Sequence, residues 1–203
     1  MPTPRLPIAQ ARRLAALVLA AVCLLPHATA GNPPSGNGTP QAPALSRFAN
    51  PVDGIHTGGR ITAEDLPALR AAGITHVIDL TPGAETPDFD EAAAVRGAGL
   101  SYANLPIAGP ADLSRESVDA FDQLLRDTQG PTLVHCASGN RVGALAALRA
   151  VWLEGAEEEA AIAEGRRWGL RSLEGKVREQ LARDRCLALA PGQDAAAACA
   201  AGG

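Results

Sequence analysis

The sequence predicts an α/β domain, in which helices alternate along the chain with the strands of a mostly parallel central sheet. Two observations favour this class. The runs at residues 75–80 and 131–134 are rich in apolar and β-branched side chains and have the composition of buried strands. Segments with apolar residues at helical spacing separate the predicted strands, which is the pattern of βαβ units. We expect ligands to bind at the carboxyl ends of the strands.

The predicted elements alternate along the chain, and glycine or proline marks most of their ends. Extended segments are expected at residues 55–61, 75–80, 100–107 and 131–134. Helices are expected at residues 62–73, 89–96, 114–129 and 157–167, from residue 143 onwards, and at residues 173–187. Thr62 and Asp65 resemble a capping box for the first helix, and Ser114 is a typical cap for the third.

Residues 1–30 have the pattern of a secretory signal peptide: three arginines precede an apolar core, and a small-residue cleavage site ends at Ala30. The core is too short to span a membrane. We therefore expect cleavage after Ala30 and a periplasmic or secreted product with no membrane span. Residues 31–45 are predicted to be a flexible linker, residues 46–189 the folded domain, and residues 190–203 a low-complexity tail.

Charge limits the partners of the predicted mature chain. Three of the 18 basic side chains and none of the 22 acidic ones lie in residues 1–30, so the remaining chain has a net charge of −7. An acidic chain is a poor partner for nucleic acid. An anionic substrate must therefore be held by a local site.

The candidate chemistry lies directly after the predicted strand at residues 131–134. Cys136 stands between this strand and a helix, where unpaired amides and the helix dipole favour an anion and hence a reactive thiolate. Gly139 lets the loop amides converge on one point, and Arg141 supplies a planar pair of donors for an oxyanion. The pattern predicts a nucleophile beneath an anion cradle.

The rest of the loop completes this hypothesis. His135 is expected to support the loop by hydrogen bonds. Substrate contacts are predicted for Ala137, Ser138, Gly139, Asn140 and Val142. The alternative is an unreactive buried cysteine beside a helix cap, but a histidine, a cysteine, a glycine and an arginine together in a strand–loop–helix context favour a functional site.

The positions of the other three cysteines in the chain indicate different roles for them. Cys23 would leave with the signal peptide. Cys186 and Cys199 could form a disulfide in an oxidising compartment. The alternatives are two free thiols, or a resolving role toward Cys136. No Cys-x-x-Cys pair and no metal-ligand spacing of histidine and cysteine is present, so neither a metal site nor a cofactor is predicted.

The motif His135-Cys136, followed by Ser138-Gly139 and Arg141, resembles the signature of cysteine-dependent protein tyrosine and dual-specificity phosphatases. The likeness is closest to a bacterial phosphatase-like domain that some proteins fuse to a metallo-β-lactamase-type hydrolase domain, and it covers roughly residues 54–169. The resemblance implies a three-layer α/β fold, with helices on both faces of the sheet, and a phosphocysteine mechanism. In it Cys136 attacks phosphorus, Arg141 and the loop amides hold the equatorial oxygens, and an aspartate protonates the leaving group of a phosphorylated small molecule or phosphoprotein.

Asp112 is the predicted acid, because it lies in the loop before the helix that starts at Ser114 and could reach the site from the carboxyl edge of the sheet. An ordinary turn residue beside Ser114 is the competing interpretation. Asp79 and Glu85, near the end of another strand, are alternatives and could instead orient Arg141 or the cysteine loop.

The spacing of the motif leaves the reaction type open. The phosphatases that it resembles place five residues between cysteine and arginine, whereas this chain has four, and Val142 stands where a hydroxyl residue often assists loss of the thiol. Cys-x4-Arg also resembles rhodanese-like sulfurtransferases, which carry a persulfide on the cysteine. We predict an exported cysteine-dependent phosphatase, with a sulfurtransferase and a noncatalytic anion-binding module as alternatives.

Overall fold

The structure, a computed structural model, describes residues 43–189 and Cys199. The predicted signal peptide lies outside the described residues, as do nearly all of the predicted linker and tail. In the described part of the chain, no helix is both long enough and apolar enough to cross a membrane.

A five-stranded sheet with the order β1-β2-β5-β3-β4 forms the centre of the described part. Its strands are β1 (Ala49–Val52), β2 (Ile55–Gly58), β3 (His76–Asp79), β4 (Ser101–Asn104) and β5 (Thr132–His135). β1 runs antiparallel to β2, and the other neighbouring pairs are parallel. The mostly parallel sheet is confirmed. The edge strand β1 was not predicted, because it is short and contains Pro51, which is unusual in a strand.

Six α-helices surround the sheet in the described residues. They are α1 (Leu66–Ala71), α2 (Glu91–Gly97), α3 (Arg115–Asp127), α4 (Asn140–Trp152), α5 (Glu158–Trp168) and α6 (Glu174–Leu189). Short 3-10 helices lie at Pro43–Leu45, Ala63–Asp65, Gly83–Glu85 and Pro110–Asp112. The helix predicted from residue 143 begins three residues earlier, at Asn140, because Gly139 adopts a φ of 84° and ends the preceding loop.

Alternating residues of the central strands face two separate cores, as strand geometry requires. Ile78 and Val134 pack into the larger core with α3, α4, α5 and α6. Val77 and Leu133 pack into the smaller core with α1 and α2. All four side chains are buried. The predicted three-layer α/β fold is therefore confirmed.

The central strand β5 brings three strand ends to one edge. His135, its last residue, is the register partner of Gly58 on one side and of Asp79 on the other. Cys136 follows directly, so the carboxyl ends of β2, β3 and β5 surround the start of the cysteine loop.

The helices α4 and α5 meet with almost no space between their backbones. A Cβ on Gly143 would lie 2.0 Å from the nitrogen of Leu170 and 2.5 Å from the carbonyl oxygen of Gly165. A Cβ on Gly165 would lie 2.7 Å from the carbonyl oxygen of Gly143. Only glycine fits at this crossing, which holds the first turns of α4 in place.

Ion pairs connect α6 to the first turn of α5. Arg178 lies 2.9 Å from Glu158 and 2.6 Å from Glu159. Hydrogen bonds from Arg185 and Arg178 lower the pKa of Glu158, and a hydrogen bond from Arg178 lowers that of Glu159. Pairs this exposed contribute little to stability.

A disulfide joins Cys186, near the end of α6, to Cys199, with their Cα atoms 5.8 Å apart. This is the pairing that the sequence suggested for an oxidising compartment. Among the described cysteines, Cys136 alone is free, so no described cysteine can act as its resolving partner while the disulfide is intact.

We expect the protein to lose stability below neutral pH through His56 on β2. Burial lowers the pKa of His56, although Asp53 partly offsets this effect. The folded state disfavours protonation of the ring, whereas the unfolded chain takes up a proton near pH 6.5, so the free energy of unfolding falls as the pH falls below about 6.5. Thermal unfolding from pH 7.5 to pH 5 should show a shallower decline for His56→Asn than for the wild type. Equal slopes would contradict the assignment.

Candidate active site

The cysteine loop, defined here as residues 136–141, connects β5 to α4. The Cys136 backbone N–H donates to the carbonyl of Gly58 at 3.3 Å, which continues the pairing of β5 with β2. The loop then turns back, and the Gly139 N–H donates to the Cys136 Sγ at 3.2 Å. An amide aimed at sulfur suits a thiolate acceptor. The nucleophile predicted from the sequence thus lies at the end of the central strand.

The start of α4 supplies further donors to this loop. The Gly143 N–H bonds the carbonyl of Gly139 at 3.1 Å, which leaves the amides of the first three helical residues without a partner in the helix. These amides and the dipole of the 13-residue helix can bind an anion. Ala137 and Ser138, which precede them, are exposed.

Two of the predicted substrate contacts have side chains that point elsewhere. Asn140 Oδ1 accepts from the backbone of Arg171 at 2.8 Å, and its Nδ2 donates to Ser172 Oγ at 2.8 Å. The Val142 side chain is fully buried in the larger core. Because the helix already begins at residue 140, both side chains project from its surface rather than into the loop. The structure leaves their backbone amides, and not their side chains, for contact with an anion.

Arg141 is held by three hydrogen bonds. Its Nη1 donates to the carbonyl of Ile107 at 2.7 Å and to that of Leu80 at 3.4 Å, and its Nη2 donates to Glu85 Oε2 at 2.7 Å. A guanidinium group has five N–H donors. Within the described residues, the Nε hydrogen and one Nη2 hydrogen therefore remain free to bind an oxyanion in two places.

Glu85 joins two arginines at the edge of the loop. Its Oε2 lies 2.7 Å from Arg141 Nη2 and 3.7 Å from Arg60 Nη2. The Arg60 backbone N–H also bonds the carbonyl of Ala137 at 3.4 Å. The sequence left Glu85 as either an alternative acid or a residue that orients Arg141 or the cysteine loop. The structure shows its contact with Arg141. Arg60 was missed by the sequence reasoning, which interpreted Gly-Gly-Arg as the end of a strand.

The His135 side chain was expected to form hydrogen bonds that support the cysteine loop, and in the structure its hydrogen bond goes to α2. Its ring is fully buried, and Nε2 forms a hydrogen bond of 2.7 Å with Oε1 of Glu91, the first residue of α2. Glu91 is 5% exposed. The sequence indicated only an ordinary acidic residue in a first helical turn, so nothing local could have identified it.

Asp79 organises the neighbouring strand ends. Its Oδ1 accepts from the Thr81 backbone at 2.7 Å, and its Oδ2 accepts from Tyr102 Oη at 2.8 Å and from Asn104 Nδ2 at 3.3 Å. Burial and the hydrogen bond to Asp79 raise the pKa of Tyr102, so the phenol stays protonated and keeps donating. Asp79 does not contact Arg141 directly. It holds the segment that includes Leu80, and the Leu80 carbonyl contacts Arg141.

Asp79, Glu91 and His135 each offer a ligand atom, and these atoms lie within 4.8 Å of one another. All of them already have hydrogen-bond partners within the described residues. In the described part of the chain the His135 Nδ1 has no hydrogen-bond partner, whereas metal-ligating histidines usually donate their second ring N–H to an acceptor. A buried hydrogen-bond network therefore explains the cluster better than a metal centre does.

Asp112 ends the 3-10 turn Pro110–Asp112. Its Oδ2 accepts from the backbone of Ala108 at 2.7 Å and of Gly109 at 3.2 Å. This turn follows Ile107, whose carbonyl binds Arg141, so the predicted acid belongs to a segment anchored at the cradle. The observed contacts close its own turn, and its role as a proton donor stays a prediction.

Two cavities adjoin the site. One of about 320 Å³ is lined by Asp79, Glu91, Tyr102 and neighbouring residues. The other, of about 390 Å³, is lined by Arg60, Glu85 and neighbours. Thr86, Pro87 and Phe89 border both cavities. Glu85, which lines the second, contacts Arg141 of the cysteine loop, so the second cavity is the better placed to hold the organic part of a substrate.

Comparison with known proteins identifies relatives of this chain by sequence and by fold. Residues 51–151 match the family described as beta-lactamase hydrolase-like protein, phosphatase-like domain. A beta-lactamase hydrolase-like protein of Agrobacterium fabrum is 31% identical over 87 residues, which are 41% of this chain and 20% of that protein. One from Xylella fastidiosa is 37% identical over 97 residues, 46% of this chain and 22% of that protein. The match spans only about a fifth of the length of these relatives.

Solved structures share the fold at low sequence identity. A candidate phosphatase from Neisseria meningitidis has a TM-score of 0.55 and 19% identity, with 66% of this chain and 96% of that chain covered. A candidate phosphatase from Shewanella putrefaciens has a TM-score of 0.51 and 21% identity, with 66% and 91% covered. These likenesses establish the architecture, which is that of protein tyrosine phosphatases.

Proposed function

Because residues 51–151 of the chain belong to the phosphatase-like domain family of beta-lactamase hydrolase-like proteins, we propose that the protein hydrolyses phosphate monoesters through Cys136. The observation that carries the proposal is the anchoring of Arg141. Two backbone carbonyls and Glu85 hold its guanidinium group, and two of its N–H groups have no partner among the described residues.

The proposed reaction has two displacements at phosphorus. The Cys136 thiolate forms an S–P bond while the ester P–O bond breaks, and the leaving oxygen takes the electron pair and a proton. Water then forms a new O–P bond, the S–P bond breaks, and the thiolate is restored. Arg141 and the loop amides bind the equatorial oxygens, on which charge develops in both steps. Asp112 is the proposed donor of the first proton and acceptor of the proton from water.

Access to the nucleophile requires movement of the loop. Cys136 is fully buried, whereas Ala137 and Ser138 are exposed. A substrate therefore meets these two residues first. The bridge between Gly59 and Ser138 fixes this part of the loop against the end of β2, and we infer that phosphate binding shifts it enough to open a path to Sγ.

The proposal is tested by parallel assays of the wild-type protein. One uses an aryl phosphate, and the other uses thiosulfate with cyanide. Release of inorganic phosphate without formation of thiocyanate is expected. Thiocyanate alone would replace the proposal with a persulfide-carrying sulfurtransferase, which the Cys-x4-Arg spacing keeps as the second candidate. Tight binding of phosphate with neither product would leave a noncatalytic anion-binding module.

Asp112→Asn should slow hydrolysis by about 100-fold for an alkyl phosphate, whose leaving group needs a proton, and much less for p-nitrophenyl phosphate. The asparagine Oδ1 can still accept from the backbone of Ala108, so the turn should persist. Rates across a series of leaving groups measure the effect, with Asp119→Asn on the exposed surface of α3 as the control. An equal loss for all leaving groups would remove Asp112 as the acid.

We also propose that the protein acts outside the cytoplasm. The signal-peptide pattern of residues 1–30 and the bond between Cys186 and Cys199 support this location. Fractionation of cells that express the full chain, followed by amino-terminal sequencing, should recover an exported protein that starts at Gly31. Cytoplasmic protein with an intact amino terminus would contradict it.

A further inference from the structure

The orientation of His135 depends on Glu91. Nε2 of His135 and Oε1 of Glu91 are 2.7 Å apart, and the two residues are 0% and 5% exposed. The other ring nitrogen, Nδ1, has no hydrogen-bond partner among the residues that the structure describes. An ionised carboxylate can only accept a hydrogen bond, so Glu91 in that form binds the hydrogen on Nε2 and fixes both the tautomer and the rotation of the imidazole.

Asp79 cannot take over this role in the observed arrangement. Its Oδ1 lies 3.8 Å from His135 Nε2, beyond hydrogen-bond distance, and is held in place by the Thr81 backbone N–H at 2.7 Å. The Tyr102 hydroxyl occupies its Oδ2 at 2.8 Å. Removal of the Glu91 carboxylate would therefore leave a buried N–H group without an acceptor, and the ring would have to move to find one.

A series of contacts connects His135 to both groups that would act on phosphate. Cys136 is its direct neighbour in the chain. The His135 carbonyl accepts from the Leu80 N–H at 2.9 Å, and the Leu80 carbonyl accepts from Arg141 Nη1 at 3.4 Å. A shift of His135 would thus displace Cys136 through the peptide bond that joins them. It would also displace the Arg141 guanidinium group through the hydrogen bonds of Leu80.

We propose that Glu91 is a positioning residue that acts through His135 on Cys136 and Arg141, an inference that rests on the proposed phosphatase function. Glu91 forms neither a hydrogen bond nor an ion pair with Cys136 or Arg141. It stands 44 residues before His135 in the sequence and approaches from α2. Its contribution is geometric, because displacement of reacting groups by about 1 Å can cost roughly 100-fold in rate.

Two substitutions separate the hydrogen bond from the charge. Glu91→Gln keeps an oxygen that can accept from His135 Nε2 and removes the negative charge, whereas Glu91→Ala removes the acceptor. We expect kcat to fall by about 10- to 100-fold in Glu91→Ala, with KM changed by less than about threefold, and Glu91→Gln to keep at least about a third of the wild-type kcat. Assays are run below the unfolding temperature of every variant. The controls are Glu116→Gln and Glu116→Ala, which change an exposed acid in the first turn of α3.

A second measurement does not depend on turnover. NMR of the side-chain N–H groups of His135 and Arg141 should give matching signals in the wild type and Glu91→Gln, and shifted or exchange-broadened signals in Glu91→Ala. The amide spectrum of Glu91→Ala should remain that of a folded protein. This pattern together with no phosphate hydrolysis by the wild type would defeat the proposed function and still support the positioning role.

Three results would overturn the inference. The first is a kcat for Glu91→Ala within about threefold of the wild type, since a misplaced nucleophile should cost more. The second is an Arg141 signal that does not respond to Glu91→Ala. The third is an equal loss in Glu91→Gln and Glu91→Ala, which would show that acceptance of the His135 proton is not what matters.

Discussion

Cys136→Ser should lower phosphate ester hydrolysis by roughly 1,000-fold or more, because catalytic groups that act as a unit lose most of their effect when the nucleophile is removed. A serine hydroxyl is not ionised near neutral pH and needs an adjacent base. The nearest imidazole, that of His135, is committed to Glu91. The serine would therefore stay protonated and unreactive.

The cradle should survive this substitution, since neither Arg141 nor the amides of α4 depend on sulfur for their position. Initial rates with an aryl phosphate and titration with inorganic phosphate give the two quantities to compare. Lost turnover with retained phosphate binding is the expected combination. Turnover that persists in Cys136→Ser would show that another group attacks phosphorus, and joint loss of turnover and binding would indicate a collapsed loop.

Gly143→Ala is expected to lower the free energy of unfolding by about 3 kcal/mol or more, at the upper end of what overpacking costs. The new methyl carbon would lie 2.0 Å from the Leu170 nitrogen and 2.5 Å from the Gly165 carbonyl oxygen. These two atoms hydrogen-bond each other at 2.8 Å. Neither is the end of a flexible side chain, so α4 and α5 must separate.

Chemical denaturation measures this loss, and Gly175→Ala is the matched control. Gly175 is the second residue of α6, and a Cβ there meets no atom of the described residues within 4 Å. Alanine at that position should stabilise the protein by about 0.5–1 kcal/mol through helix propensity. Similar unfolding energies for Gly143→Ala and the wild type would mean that the crossing of α4 and α5 is looser than observed.

The cysteine loop could be predicted from the sequence because its parts are contiguous. A buried strand, a cysteine, a glycine able to adopt positive φ and an apolar helix follow one another, and each leaves a local pattern. The boundary of α4 was less certain. Gly139 offers no capping side chain, and the apolar periodicity that identifies the helix is clear only after Gly143.

The support around the loop could not be predicted in the same way. Glu91 and His135 are 44 residues apart, and Tyr102 and Asp79 are 23 apart. Each has an ordinary local interpretation, as a helix acid or a strand residue. The register of the sheet and the placement of α2 bring these side chains together. Neither feature can be deduced from a single sequence.

The carboxylate of Glu85 between Arg60 and Arg141 also affects how substrates would arrive. It cancels one of the two positive charges, so this group carries a formal +1 on a chain whose net charge is −4. Electrostatic attraction of a phosphate ester then extends little beyond the Debye length, about 8 Å at physiological ionic strength. Substrates would be found by unassisted diffusion and retained by short-range hydrogen bonds, so discrimination among them would appear in dissociation rates rather than in capture rates.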